Sequence, residues 1–163
     1  EIPKRDWSSD VCSSDLHSPW IAERAWHAQP GQGAGAVHAA MMQVVREASE
    51  AEKLALIRAH PELAGREASA GTLTVDSSSE QGRLGFTALS RDEYLRMQDL
   101  NRQYRERFGF PCIVALRLHA SRESVMAVME QALERSRDEE ITRAIGQIGE
   151  ITRGRVAKLM GEG

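Results

Sequence analysis

Serine followed three positions later by glutamate, then by apolar residues spaced three and four apart, recurs along this chain: Ser49 with Glu52, Ser77 with Glu80, Ser90 with Glu93. In such a pair the serine hydroxyl accepts from the glutamate backbone N–H while the glutamate side chain reaches back to the serine N–H, so each pair marks a helix start. The apolar spacing agrees. Ser18 and Pro19 open a helix to about Trp26, with proline at the first helical position. After a Pro- and Gly-containing loop at Gln29–Gly35, the residues Val37, Met41, Val44, Val45 and Ala48 mark an amphipathic helix. A third helix carries Leu54 and Ile57 toward His60, and Pro61 ends it.

Arg66 to Val75 is polar and β-branched and reads as a loop before the Ser77 helix start. Tyr94, Met97, Leu100 and Tyr104 share one face of the helix begun at Ser90, which Phe108-Gly109-Phe110-Pro111 stops. Cys112 to Leu118 is a short apolar run that fits a buried strand or a buried helical segment equally well. Ser121 caps a helix bearing Val125, Val128, Met129 and Leu133. Asp138 begins a long last helix with Ile141, Ala144, Ile145, Ile148, Ile151, Val156 and Leu159 as its stripe. Gly146, Gly149 and Gly154 each cost that helix about 1 kcal/mol relative to alanine, so tertiary packing must hold it. The expectation is an all-α, single compact multi-helix domain without internal repeats.

At 163 residues and net charge −3, the chain is long enough for its own core and has no basic face for nucleic acid or an anionic membrane. No apolar run approaches the roughly 20 residues of a membrane helix. Cys12 and Cys112 form neither a disulfide framework nor zinc-ligand spacing, which suggests a reducing, cytoplasmic setting and no metal. Glu1–Leu16 repeats Ser-Ser-Asp around Val11-Cys12 with neither helical nor strand period. It resembles a translated sequencing adapter more than a protein segment. Residues 1–16 are therefore expected to be non-native, in place of the original N-terminus, and residues 17–163 to be the domain.

Several polar groups stand at unusual places. His60 lies where a helix breaks, and a histidine can transfer protons near neutral pH, although taken alone it is better explained as a surface histidine at a helix end. Ser77, Glu80 and Gln81 are explained as a capping box, or as a helix N-terminus that cradles an anionic or urea-like ligand. Arg155 falls on the apolar stripe of the last helix, four residues from both Ile151 and Leu159, whereas Arg153 points elsewhere. A cation on that stripe must reach water or meet an anion. Cys112 reads as a buried small hydrophobe rather than a nucleophile.

Taken in order, His17-Ser18-Pro19-Trp20, His60-Pro61-Glu62-Leu63-Ala64-Gly65, Gly71-Thr72-Leu73-Thr74, Ser77-x-x-Glu80-Gln81, Asn101-x-x-Tyr104-x-x-Arg107-Phe108-Gly109-Phe110-Pro111 and Arg155 resemble the 2-oxo-4-hydroxy-4-carboxy-5-ureidoimidazoline (OHCU) decarboxylase family. The resemblance runs from His17 to about Leu159. It implies an all-helical enzyme without cofactor or metal, commonly a homodimer, that converts the ureidoimidazoline acid to (S)-allantoin and CO₂ in urate degradation. It implies His60 and Glu80 as catalytic residues and Pro61, Ser77, Gln81 and Arg155 as substrate contacts. The backbone of Cys112, Ile113, Val114, Ala115 and Leu116 would line the pocket. Cys112 replaces the family's usual aromatic and Gly154 a usual large apolar residue. The alternative is a catalytically impaired member acting as a helical interaction module, which would have no reason to keep His60, Glu80, Gln81 and Arg155 around one pocket.

Overall fold

The computed structural model describes residues 19–28, 31, 33–65, 81–86, 88–159 and 161. Among them the regular structure is helical: α1 Pro19–His27, α2 Ala34–Glu47, α3 Glu50–Arg58, α4 Arg91–Phe108, a 3₁₀ turn at Leu116–Leu118, α5 Arg122–Ala132 and α6 Arg137–Leu159. The all-α expectation holds. The Ser77–Glu80 helix start, the loop from Arg66 to Val75 and the first sixteen residues lie outside the described residues.

The chain divides into two compact units. One comprises the described residues up to Ala59 together with those from Gly149 onward; the other runs from His60 to Ile148. In the first, α1 packs on α2 and buries Ile21, Ala22 and Ala25, while α2 buries Val37, Met41, Met42 and Val45. Gly149 on α6 lets this layer close. A Cβ there would stand 3.0 Å from the Met42 methyl carbon, and the Gly149 carbonyl bonds His38 Nε2 at 2.8 Å. Helix α3 begins at the expected capping box, where Ser49 Oγ accepts from Glu52 N–H at 3.1 Å and the Glu52 carboxylate accepts from Ser49 N–H.

The second unit is built on α4, which also opens on its expected box, Ser90 with Glu93, and ends at Gly109 in the left-handed conformation (φ 81°). Tyr104, Phe108 and Phe110 pack with ring centroids 4.6–6.0 Å apart. Met97 and Tyr104 of α4, Val125 and Met129 of α5 and Ala144 and Ile148 of α6 are buried in the same unit.

Local differences from the sequence reading have identifiable causes. Helix α2 starts at Ala34 inside the expected loop, with Gly33 (φ 92°) ahead of it, because burial of Ala34 outweighs the cost of Gly35 in the first turn. Tyr94 is 42% exposed, since no residue of α4 before Met97 is buried. The run from Cys112 forms neither strand nor regular helix: residues 111–115 are irregular and lead into the 3₁₀ turn. Helix α6 starts from a further capping box, Ser136 with Glu139, which the sequence reading did not single out.

Candidate active site

His60 sits just after α3 and is 7% exposed. The five residues that follow form a tight loop. Gly65 N–H donates to Glu62 C=O at 3.2 Å, and a Cβ on Gly65 would lie 2.9 Å from Glu62 Cβ, so a side chain is excluded. Ala64 adopts φ 51°, a left-handed conformation that costs an L-residue roughly 1–2 kcal/mol. Such strain persists only where the surroundings enforce it.

Here three amide side chains do so. Gln81 Oε1 accepts from Ala64 N–H at 3.0 Å, Gln98 Nε2 donates to Ala64 C=O at 2.9 Å, and Asn101 Nδ2 donates to Leu63 C=O at 2.9 Å. Gln98 and Asn101 are three apart and share a face of α4. Arg105, one turn on from Asn101, pairs with Glu62. Both backbone faces of the Leu63–Ala64 step are thereby fixed, directly after the histidine.

Gln81 is 3% exposed and is the first of the described helical residues 81–83. Its oxygen is committed to Ala64, and its NH₂ group is of the donor type that suits a ligand oxygen. Arg83 in the same turn donates to the carbonyls of Leu116 and of His119, the latter at 3.0 Å. The turn thus ties the His60 loop to the end of the segment 112–116. That segment is buried throughout, and burial pushes the Cys112 thiol up to about 12, so it supplies no nucleophile near neutral pH.

Of the expected site residues, the structure joins the His60 loop, Gln81 and the 112–116 segment within one unit. Pro61 is half-buried at the head of the loop. Ser77 and Glu80 lie outside the described residues. Arg155 belongs to the other unit; it is 5% exposed whereas Arg153 is exposed, as their spacing predicts. Asn101 entered the sequence reading only as part of a motif, with no role assigned to it, and Gln98 and Arg83 were not singled out from the sequence. Neither was Glu140, which is completely buried: it accepts from Tyr104 Oη–H at 2.7 Å and pairs with Arg143 at 2.9 Å and Arg135 at 3.4 Å.

Comparison with known proteins identifies the family. The sequence profile of the OHCU decarboxylase family matches residues 10–157. The chain is 36% identical to the 2-oxo-4-hydroxy-4-carboxy-5-ureidoimidazoline decarboxylase of Mus musculus, over 88% of this chain and 80% of the mouse protein. It is 36% identical to that of Haloferax volcanii, over 87% and 82%. It is 34% identical to the uric acid degradation bifunctional protein PucL of Bacillus subtilis, over 90% of this chain and 28% of that protein. A crystal structure of (S)-allantoin synthase superposes with a TM-score of 0.75 at 25% identity, covering 97% of this chain and 51% of that one. One of OHCU decarboxylase in the presence of (S)-allantoin has the same fold, with a TM-score of 0.72 at 18% identity over 98% of this chain and 99% of that one. The chain belongs to the OHCU decarboxylase family.

Proposed function

We propose that the chain decarboxylates 2-oxo-4-hydroxy-4-carboxy-5-ureidoimidazoline to (S)-allantoin and CO₂ in urate degradation, with His60 as the proton donor. The observation that carries this reading is the buried histidine heading a loop whose strained backbone is fixed by Gln81, Gln98 and Asn101, in a chain of this family.

In the reaction the bond to the carboxylate carbon breaks and CO₂ leaves. Its electron pair passes into the conjugated carbon–nitrogen system of the ring, and a proton then arrives on one face of the carbon that becomes the stereocentre. The ring itself is the electron sink. What the protein must supply is a held proton donor and donors for the substrate's oxygens. A positioned general acid is typically worth 10²–10⁴ in rate. In this reading His60 delivers the proton, the Gln81 NH₂ group and the backbone of 112–116 hold the ring, and Arg155 holds the carboxylate. Pro61 and Ser77 line the same pocket, and Glu80 orients His60 or binds the ureido N–H groups. Residues 17–163 are the catalytic domain, working as a cytoplasmic homodimer, and residues 1–16 add nothing to it.

The test generates the unstable substrate in place from urate and follows allantoin by circular dichroism. The chain should yield the S enantiomer, and His60→Asn, still folded, should yield racemate. Racemic product from the unaltered chain would favour the interaction-module alternative. Full stereoselectivity in His60→Asn would remove His60 from the chemistry.

A further inference from the structure

Helix α6 carries a buried polar assembly for which the proposed chemistry has no use. Glu140 is fully buried, and Arg143 Nε bonds both of its carboxylate oxygens at 2.9 Å. Burial works against the Arg143 charge, yet Cys112 and Glu140 beside it raise its pKa above the ordinary guanidinium value. With Nε committed to Glu140, the rest of the guanidinium is aimed. Nη1 donates to Ile113 C=O at 2.9 Å and Nη2 to Cys112 Sγ at 3.4 Å. Four residues along the same helix, Gln147 Oε1 accepts from Ala115 N–H at 2.9 Å.

Ile113 C=O and Ala115 N–H belong to the two consecutive peptide groups that flank Val114, so one face of α6 holds the chain on both sides of that residue. A trans peptide points its C=O and N–H in opposite directions, so Val114 N–H, opposite Ile113 C=O, and Val114 C=O, opposite Ala115 N–H, are both turned from α6.

We propose that Arg143 and Gln147 are positioning residues for the reaction: α6 holds residues 112–115 in register so that the opposite backbone edge, at Val114, is set for the substrate's ureide groups. Glu140, capped by Tyr104, aims Arg143. This rests on the decarboxylase reading for the role of the segment, but the grip itself stands on the hydrogen bonds.

Arg143→Met would leave Glu140 buried beside a lost cation and endanger folding, so Gln147 is the residue to vary. Gln147→Leu should raise KM about tenfold with kcat within about threefold of the unaltered chain, the signature of lost ground-state binding, and should speed hydrogen exchange at the Ala115 amide. Gln147→Glu keeps an acceptor and should restore both. An unchanged KM in Gln147→Leu, with faster Ala115 exchange and enantiopure product from the unaltered chain, overturns the positioning role alone. Equal kinetic damage in Leu and Glu variants overturns it as well. Racemic product from the unaltered chain fells the decarboxylase reading and this role with it, whatever the exchange rates show.

Discussion

Replacing Asn101 by leucine, nearly the same size, tests whether the amide clamp enforces the loop after His60. The change deletes one hydrogen bond, to Leu63 C=O, and fills its place with an apolar group. Leu63 is 6% exposed and Asn101 3%, so water has little access to the carbonyl. Leaving a buried acceptor unmade costs about 1–3 kcal/mol. For a chain of this length that is a fall in melting temperature of about 2–12 °C. The loop can recover part of the loss by letting Ala64 leave its left-handed conformation, which releases roughly 1–2 kcal/mol but misplaces the backbone next to His60. Ala64→Gly removes that strain beforehand, at a cost of about 0.5–1 kcal/mol in unfolded-state freedom, and alone should sit within about 1 kcal/mol of the unaltered chain. The two substitutions should therefore couple by at least about 0.5 kcal/mol. Urea unfolding with unchanged m-values measures the cycle, and the enantiomeric excess of allantoin reads the geometry. If Asn101→Leu lies within about 0.5 kcal/mol of the unaltered chain, or the pair is additive, the clamp does not enforce the Ala64 conformation.

Gly65→Ala drives a Cβ to 2.9 Å from Glu62 Cβ and 3.1 Å from its carbonyl oxygen, and should cost about 1–3 kcal/mol and most of the stereoselectivity, read by thermal melting and circular dichroism. Arg155→Ala should lower kcat/KM by about 2–4 kcal/mol equivalent if it removes a charge-assisted substrate contact, while Arg153→Ala, on an exposed residue, should stay within about 0.5 kcal/mol; equal effects would refute the assignment of the helix face. The backbone N–H of Ser90 and its hydroxyl hold the Glu93 carboxyl below the usual carboxylate range. Its stabilising share is thus complete above the unfolded value near 4.5 and is lost as pH falls through the folded value. Glu93→Gln should accordingly show a smaller drop in melting temperature between pH 6 and pH 3 than the unaltered chain.

What could be read in advance was local. The boxes at Ser49 and Ser90 bind a side chain to a backbone three residues away, and the partition of Arg153 from Arg155 follows from helical periodicity alone. The clamp was not legible because its partners are the carbonyls of Leu63 and Ala64 and the N–H of Ala64, groups that every residue carries. Glu140 was hidden for a different reason. In sequence it completes an acidic first turn with Asp138 and Glu139, the ordinary dress of a solvated helix start, and only Tyr104, thirty-six residues earlier, shows that it faces inward. The irregular course of 112–115 likewise depends on Arg143 and Gln147, whose grip no period in the apolar pattern encodes.

The silence of the Cys112 thiol makes it a clock. While residues 112–115 stay docked, a thiol raised to about 12 offers almost no thiolate to an alkylating reagent. Each modification at this sulfur therefore records an excursion in which the segment has come away. With reclosing faster than capture, the alkylation rate is set by the population of the open form, and with reclosing slower, by the opening rate itself. Cys112 thus lets the breathing of this segment be timed separately from global unfolding.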